Sequence, residues 1–241
     1  MTAARPRFSV LIPARNEEAL LPACLESIAT ASRGFEGQVE VIVAVNRSTD
    51  RTEEIARASG AVVVRDESKC MAKIRNAAAR ASTGEILLTI DADSRMSLRM
   101  IAAVEGRIRS GRYVGGGVLI VPERWSFGIA ATGLVLFMYT FWRRIYAGMF
   151  WCRREDFEAV GGFDESLTSA EDIDFAKRLG RYGRRSGRRF GMIWRAHIVT
   201  SCRKFDRFGE WHLFTRLPAA IRLLGGRSAR DADPYYYDVP R

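Results

Sequence analysis

Two carboxylates one residue apart, Asp91 and Asp93, close an otherwise apolar run that reads Ile86-Leu87-Leu88-Thr89-Ile90-Asp91-Ala92-Asp93. No basic residue stands between them. Oxygen donors of this type suit hard divalent cations such as Mg²⁺ or Mn²⁺. The same spacing also serves as a solvated loop after a core strand, so the rest of the chain must decide. The run itself, with Gly84 upstream, predicts a strand buried on both faces. Its acids then sit where the strand leaves the sheet, which is where open α/β sheets bind ligands.

The elements that would position this pair alternate. Phe8–Ile12, Val39–Val45 and Ala61–Val64 have the composition of buried strands, and helical spacing follows each of them. Four strand–helix units before residue 100 predict a doubly wound, mostly parallel sheet with helices on both faces. The second half is less regular. Ser97–Arg109 reads as a helix. Tyr113–Val121 reads as a strand whose Gly115-Gly116-Gly117 suggests a bulge or a close ligand approach. Ala170–Tyr182 reads as a helix, Phe190–Trp194 and Ile198–Cys202 as two strands, and Phe205–Leu224 as a terminal helix kinked at Pro218. One domain over residues 1–224 is expected, with a nucleotide-binding half (1–96), an acceptor half (97–224) and a polar tail (225–241).

A net charge of +10 implies an acidic partner: nucleotide phosphates, nucleic acid or an anionic membrane surface. Nucleic acid is the least favoured of these, because no helix-turn-helix, zinc or RNP pattern appears. The four cysteines form no C-x-x-C pair, which points away from zinc and towards a reducing, cytoplasmic location.

With these residues laid out, the chain resembles the inverting family 2 glycosyltransferases of the GT-A fold. The resemblance runs from about Phe8 to about Arg207. It rests on Ser9–Glu18 as the opening strand and turn, and on Ser48-Thr49-Asp50-Arg51-Thr52 as the second βα turn. Ala72–Ala77 resembles the basic helix start and Asp91-Ala92-Asp93 the D-x-D motif. Gly161-Gly162-Phe163-Asp164-Glu165 with Glu171-Asp172 resembles the acceptor-side motifs. The fold implied is a Rossmann-like, mostly parallel sheet with an acceptor-side C-terminal extension.

The resemblance implies transfer of one sugar from a nucleoside diphosphate sugar to an acceptor hydroxyl of unknown identity, with lipid-linked hydroxyls among the candidates. Pro13, Ala14 and Asn16 would line the nucleotide pocket. Arg75, with Lys73 beside it, would approach the base or diphosphate. Asp91 would contact ribose or a metal-bound water, and Asp93 would hold Mn²⁺ or Mg²⁺. Asp172 would be the catalytic base and Glu171 its neighbour orienting acceptor or backbone. Arg203 and Lys204 fall in the late segment that binds diphosphate or acceptor, and His197 is a candidate further metal ligand. The family's usual Asp-Asp-Gly is replaced by Val45-Asn46-Arg47, so Asn46 remains as a base or sugar contact and uridine preference is open. Gln-x-x-Arg-Trp is absent, which favours non-processive transfer.

Two further stretches bear on location. Arg178, Arg181, Arg184, Arg185, Arg188 and Arg189 form a basic run suited to an anionic lipid or a phosphate-bearing acceptor. Trp125–Trp142 is uncharged and is expected as a buried or in-plane helix, because a spanning helix would separate Asp93 from Asp172. Peripheral attachment at the inner membrane face follows as an expectation. A nucleotidyltransferase is the enzymatic alternative, but Pro13–Glu18 lacks the glycines of a phosphate loop.

Overall fold

The computed structural model describes residues 5–143 and 148–215. The expected kink at Pro218 and the tail 225–241 lie outside them. The first half runs β1 (Phe8–Ala14), α1 (Leu21–Ala31), β2 (Val39–Asn46), α2 (Thr52–Ala58), β3 (Val62–Asp66), α3 (Met71–Ala81), β4 (Ile86–Thr89) and β5 (Ser94–Met96). Then follow α4 (Met100–Arg109), β6 (Tyr113–Pro122), α5 (Phe127–Arg143), β7 (Trp151–Arg153), α6 (Arg154–Ala159), α7 (Glu171–Arg185), β8 (Arg189–Thr200), α8 (Arg203–Phe208) and α9 (His212–Thr215).

The eight strands form one sheet in the order β3-β2-β1-β4-β7-β6-β8-β5. β1 to β4 are parallel, as are β6 and β8, while β7 and β5 run against their neighbours. The sheet is therefore mostly parallel, with two reversed strands. The sequence pattern does not predict β5, because three residues are too few to show a period.

Burial on both faces explains the near-continuous apolar runs. Val10, Ile12, Val43 and Leu88 face one core with α1 and α4, which contribute Leu21, Ile28, Ile101 and Val104. Leu11, Ile42 and Leu87 face the other with α3 and α7, which contribute Ile74, Ala78, Phe175 and Leu179. The four cysteines are buried thiols.

Two expectations change. The segments around Phe190 and Ile198 are one strand, β8, whose register jumps from Val118–Ile193 to Leu119–His197. Trp194, Arg195 and Ala196 bulge out between. In the described part of the expected terminal helix, α8 ends at Gly209, whose φ of 84° is left-handed, and α9 starts at His212; residues 216–224 lie outside the described residues. The glycine run of β6 receives protein rather than ligand. A Cβ on Gly116 would lie 1.8 Å from the Gly191 carbonyl oxygen and 2.8 Å from the Trp151 ring. Trp151 is fully buried there and donates its indole N–H to the Gly117 carbonyl at 3.2 Å.

Gly116→Ala should therefore cost about 3 kcal/mol through overpacking. Urea unfolding monitored by circular dichroism would measure it, and an unchanged midpoint would contradict this packing account.

Candidate active site

The site is assembled at the carboxyl ends of β1, β2 and β4 and completed by α3, α7 and the chain after β8. The first two βα turns are locked together. Asn16, left-handed at φ 50°, accepts the Thr49 N–H at 2.8 Å on its Oδ1, while its own N–H donates to Ser48 Oγ at 3.1 Å. The Glu17 N–H donates to Thr52 Oγ1 at 2.7 Å and the Glu18 N–H to Asp50 Oδ2 at 3.0 Å. In return, the Arg51 N–H donates to Glu18 Oε2 at 3.1 Å and the Thr52 N–H to Asp50 Oδ1 at 3.0 Å. Six backbone amides are thus satisfied by side chains of the two turns, and Asn16 acts as a tie between them. Pro13 and Ala14 are buried at the end of β1, where they pair with Ala44 and Val45.

Asn46 is 1% exposed and donates Nδ2 to the carbonyls of Asp66 at 2.7 Å and Ser68 at 2.8 Å. Its Oδ1 and the Nη1 of Arg47 are buried without hydrogen-bond partners. Orphaned polar atoms in a folded interior are few, and these two sit together at a strand end.

Arg75 occupies the centre. Its side chain is 11% exposed, and it donates to Asp91 Oδ1 at 3.1 Å and to Glu171 Oε1 at 2.6 Å. Its guanidinium also lies 5.5 Å from the Phe163 ring centroid. Burial works against its charge, but Asp91, Glu171 and Asp172 outweigh that and raise its pKa. Burial pushes the Glu171 carboxyl up; Arg75 opposes this and Asp172 reinforces it. Asp172 is half-buried at the first turn of α7 and accepts the Ile173 N–H at 2.7 Å. Arg75 therefore links Asp91 to Glu171 instead of pointing freely at a ligand.

The second D-x-D acid has its own arginine. Arg203 donates to Asp93 Oδ2 at 3.0 Å and forks onto Glu17 at 2.6 and 2.7 Å. Glu17 is 3% exposed. From sequence it was placed only within the Ser9–Glu18 opening strand and turn and given no role; α1 begins at Leu21. Burial, reinforced by the carboxylates of Asp93, Asp91 and Glu17, raises the pKa of the nearby Cys24 thiol, so it stays protonated.

Three expected site residues stand apart. Lys73 is exposed and lies electrostatically near Glu165, on a different face of α3 from Arg75. Lys204 is exposed on α8. His197 meets Ser97 through its N–H, at 3.0 Å from Ser97 Oγ. Ser94 pairs with Thr200, so His197 is three strand steps away, or about 10 Å along the ladder. The structure thus does not bring His197 to Asp93. Among the described residues, no three His, Cys, Asp or Glu side chains form a metal cage. Asp91 and Asp93 are two hard carboxylates at the end of one strand, and their chemistry fits a divalent cation.

The basic run is also partly turned inward. Arg178 donates to the carbonyls of Val160 at 2.6 Å and Gly162 at 2.8 Å, and Arg188 forks onto buried Asp156 at 2.7 Å. Asn76 holds the Gly-Gly-Phe turn, exchanging hydrogen bonds with the Phe163 backbone at 2.9 and 3.0 Å. A cavity of about 790 Å³ lies behind this turn against Arg80, Phe157 and Glu165, but neither Asp91, Asp93 nor Asp172 lines it.

Comparison with known proteins gives the family and the fold. The description of Glycosyl transferase family 2 matches residues 9–161, more than half of the chain. A PGL/p-HBAD biosynthesis glycosyltransferase of Mycobacterium bovis is 30% identical over 182 residues, covering 71% of this chain and 69% of the relative. Glycosyltransferase AglE of Haloferax volcanii is 27% identical over 229 residues, covering 87% and 71%. Among solved structures, the mannosyltransferase PcManGT of Pyrobaculum calidifontis, in complex with GDP-Man and Mn²⁺, superposes with a TM-score of 0.63 at 20% identity. That match covers 98% of this chain and 77% of the other. TarS of S. aureus in complex with UDP-GlcNAc gives 0.63 at 21% identity, covering 81% of this chain and 58% of that longer one. The fold is GT-A, and the chain belongs to glycosyl transferase family 2.

Proposed function

We propose that this protein transfers a single sugar, with inversion, from a nucleoside diphosphate sugar to an acceptor hydroxyl. The observation that carries the reading is the bridge Asp91–Arg75–Glu171, at 3.1 and 2.6 Å. It joins the carboxylate at the tip of β4 to the start of α7, where Asp172 stands. Donor-side and acceptor-side acids therefore share one cleft, as a displacement at the anomeric carbon requires.

In this reading, the acceptor oxygen attacks the anomeric carbon while the bond from that carbon to the diphosphate oxygen breaks on the opposite face. Asp172 takes the hydroxyl proton, and the diphosphate leaves with the bonding electron pair. Glu171, held by Arg75, fixes the first turn of α7 and so the position of Asp172. Asp93 and Asp91 would hold a divalent cation, which supplies Lewis-acid stabilisation of the leaving diphosphate. Both PcManGT and GalNAc-T7 are complexed with Mn²⁺, which supports a divalent cation here without choosing Mn²⁺ over Mg²⁺. Arg203 keeps two bonds to Glu17, so its single contact to Asp93 is the one it can exchange for a phosphate oxygen. Asn46 Oδ1 offers an acceptor to a base N–H, a feature shared by uracil and guanine. The lack of Gln-x-x-Arg-Trp supports a non-processive reaction.

Asp172→Asn should lower turnover by about 10²–10⁴-fold, the usual worth of a positioned base. It should leave intact the thermal stabilisation by UDP or GDP in the presence of Mn²⁺. Wild-type turnover in this variant would place the base elsewhere. Asp93→Ala should remove the dependence of nucleotide binding on Mn²⁺ or Mg²⁺, read by calorimetry with and without EDTA. Unchanged cation-dependent binding would overturn the metal assignment.

A further inference from the structure

We propose that this protein docks on an anionic lipid bilayer through one apolar face made of α5, the β8 bulge and the α8–α9 segment. Thirteen large apolar side chains are exposed among the described residues; nine belong to these elements and a tenth, Trp125, stands just before α5. They are contiguous. Phe137 of α5 meets Trp194 with ring centroids 6.3 Å apart, and Phe127 meets Trp211 at the same distance. Trp211 in turn meets Phe214 at 5.5 Å.

Three features identify the occupant as a bilayer. The first is geometric. Residues 133–138 of α5 are all exposed, and five of the six are large and apolar. Six consecutive residues exceed one helical turn, so apolar side chains are exposed around the helix there, Phe137 also lying against Trp194. A fluid apolar phase takes up such a broad surface, which a flat protein partner covers on one side only. The second is composition. Trp125, Trp194 and Trp211 are 67, 48 and 47% exposed, three of the five tryptophans in the chain. Tryptophan is the residue that favours the headgroup level.

The third feature is charge. No acid occurs between Arg124 and Arg144, and Arg143-Arg144 ends the uncharged run. Arg195 is exposed beside Trp194. The acids of the α8–α9 segment, Asp206 and Glu210, are both paired with Arg124. Along these described segments Arg124, Arg195, Lys204 and Arg207 outnumber Asp206 and Glu210, in a chain of net charge +10. No described helix is long and apolar enough to cross a membrane, so α5 lies in the interface plane. This surface is distinct from the Arg178–Arg189 run, two of whose arginines serve the interior.

The face adjoins the active site. The Glu123 N–H donates to the Thr200 carbonyl at 2.9 Å, and Thr200 Oγ1 accepts from Ser94 beside Asp93 at 3.0 Å. Docking there would present the cleft at the bilayer surface. Lipid binding itself does not depend on the transfer reading, so each can fail without the other.

The test is flotation of the full chain with phosphatidylcholine vesicles, alone and with added phosphatidylglycerol. The wild type should float with the anionic vesicles, less so as salt rises. Leu134→Glu with Met138→Glu, on one stripe of α5, should weaken binding more than about tenfold with an unchanged melting temperature. Val62→Glu, at the opposite edge of the sheet, should bind as the wild type does. Three results would each overturn the proposal. These are absence of flotation with anionic vesicles, wild-type flotation of the α5 double variant, and a solution dimer that the same variant dissolves.

Discussion

A guanidinium buried between two carboxylates holds this site together. Removing a charge from water costs several kcal/mol even after relaxation, and only well-placed partners offset it. Arg75 meets that condition because three elements converge on it. α3 carries the guanidinium, β4 ends at Asp91, and α7 begins at Glu171. Displacing any one of them would leave a buried charge uncompensated, so the bridge makes their relative positions interdependent. Its Nε stays buried without a partner, which adds to the penalty the two carboxylates must outweigh.

The neighbouring residue extends the same logic. Asn76 faces the other way along α3 and holds the Gly-Gly-Phe turn through the backbone of Phe163. Phe163 then stacks on Phe175 of α7, with ring centroids 4.5 Å apart. Two successive side chains of one helix thereby tie down both the start of α7 and the Gly-Gly-Phe turn before it. The second clamp, Glu17–Arg203, does similar work elsewhere, joining the loop after β1 to the start of α8.

Much of this was legible in the sequence. Buried parallel strands announce themselves as apolar runs, and acids ending such a run have few structural reasons to be there. Asp91 and Asp93 were named on that basis, Arg75 and Glu171 by resemblance to the family, and Arg75 bonds to both Asp91 and Glu171. Which partner each would choose was not legible. Arg75 was expected to face a ligand, yet it spans two acids 80 residues apart in sequence. Pairing at that separation depends on the packing of α3 against α7, which no local pattern encodes. Glu17 was hidden because an acid before a helix already has an adequate local explanation. His197 was a candidate by order along the chain, but strand register, set by the short β5, places it elsewhere. The arginine run misled for a related reason: Arg178 and Arg188 reach inward from a stretch whose composition reads as solvated.

The interlocked βα turns have a consequence for how an anion can be held. Many α/β proteins cradle phosphate with free backbone amides after a strand, a fixed set of dipoles whose strength varies little with the medium. Here six such amides are already occupied by Asn16, Ser48, Asp50, Thr52 and Glu18. An anion held beside these turns would be met by side-chain and solution cations rather than by those six amides. Recognition built this way is an ion-exchange process. Its strength follows ionic strength and cation supply, so the cell's electrolyte becomes part of the binding site.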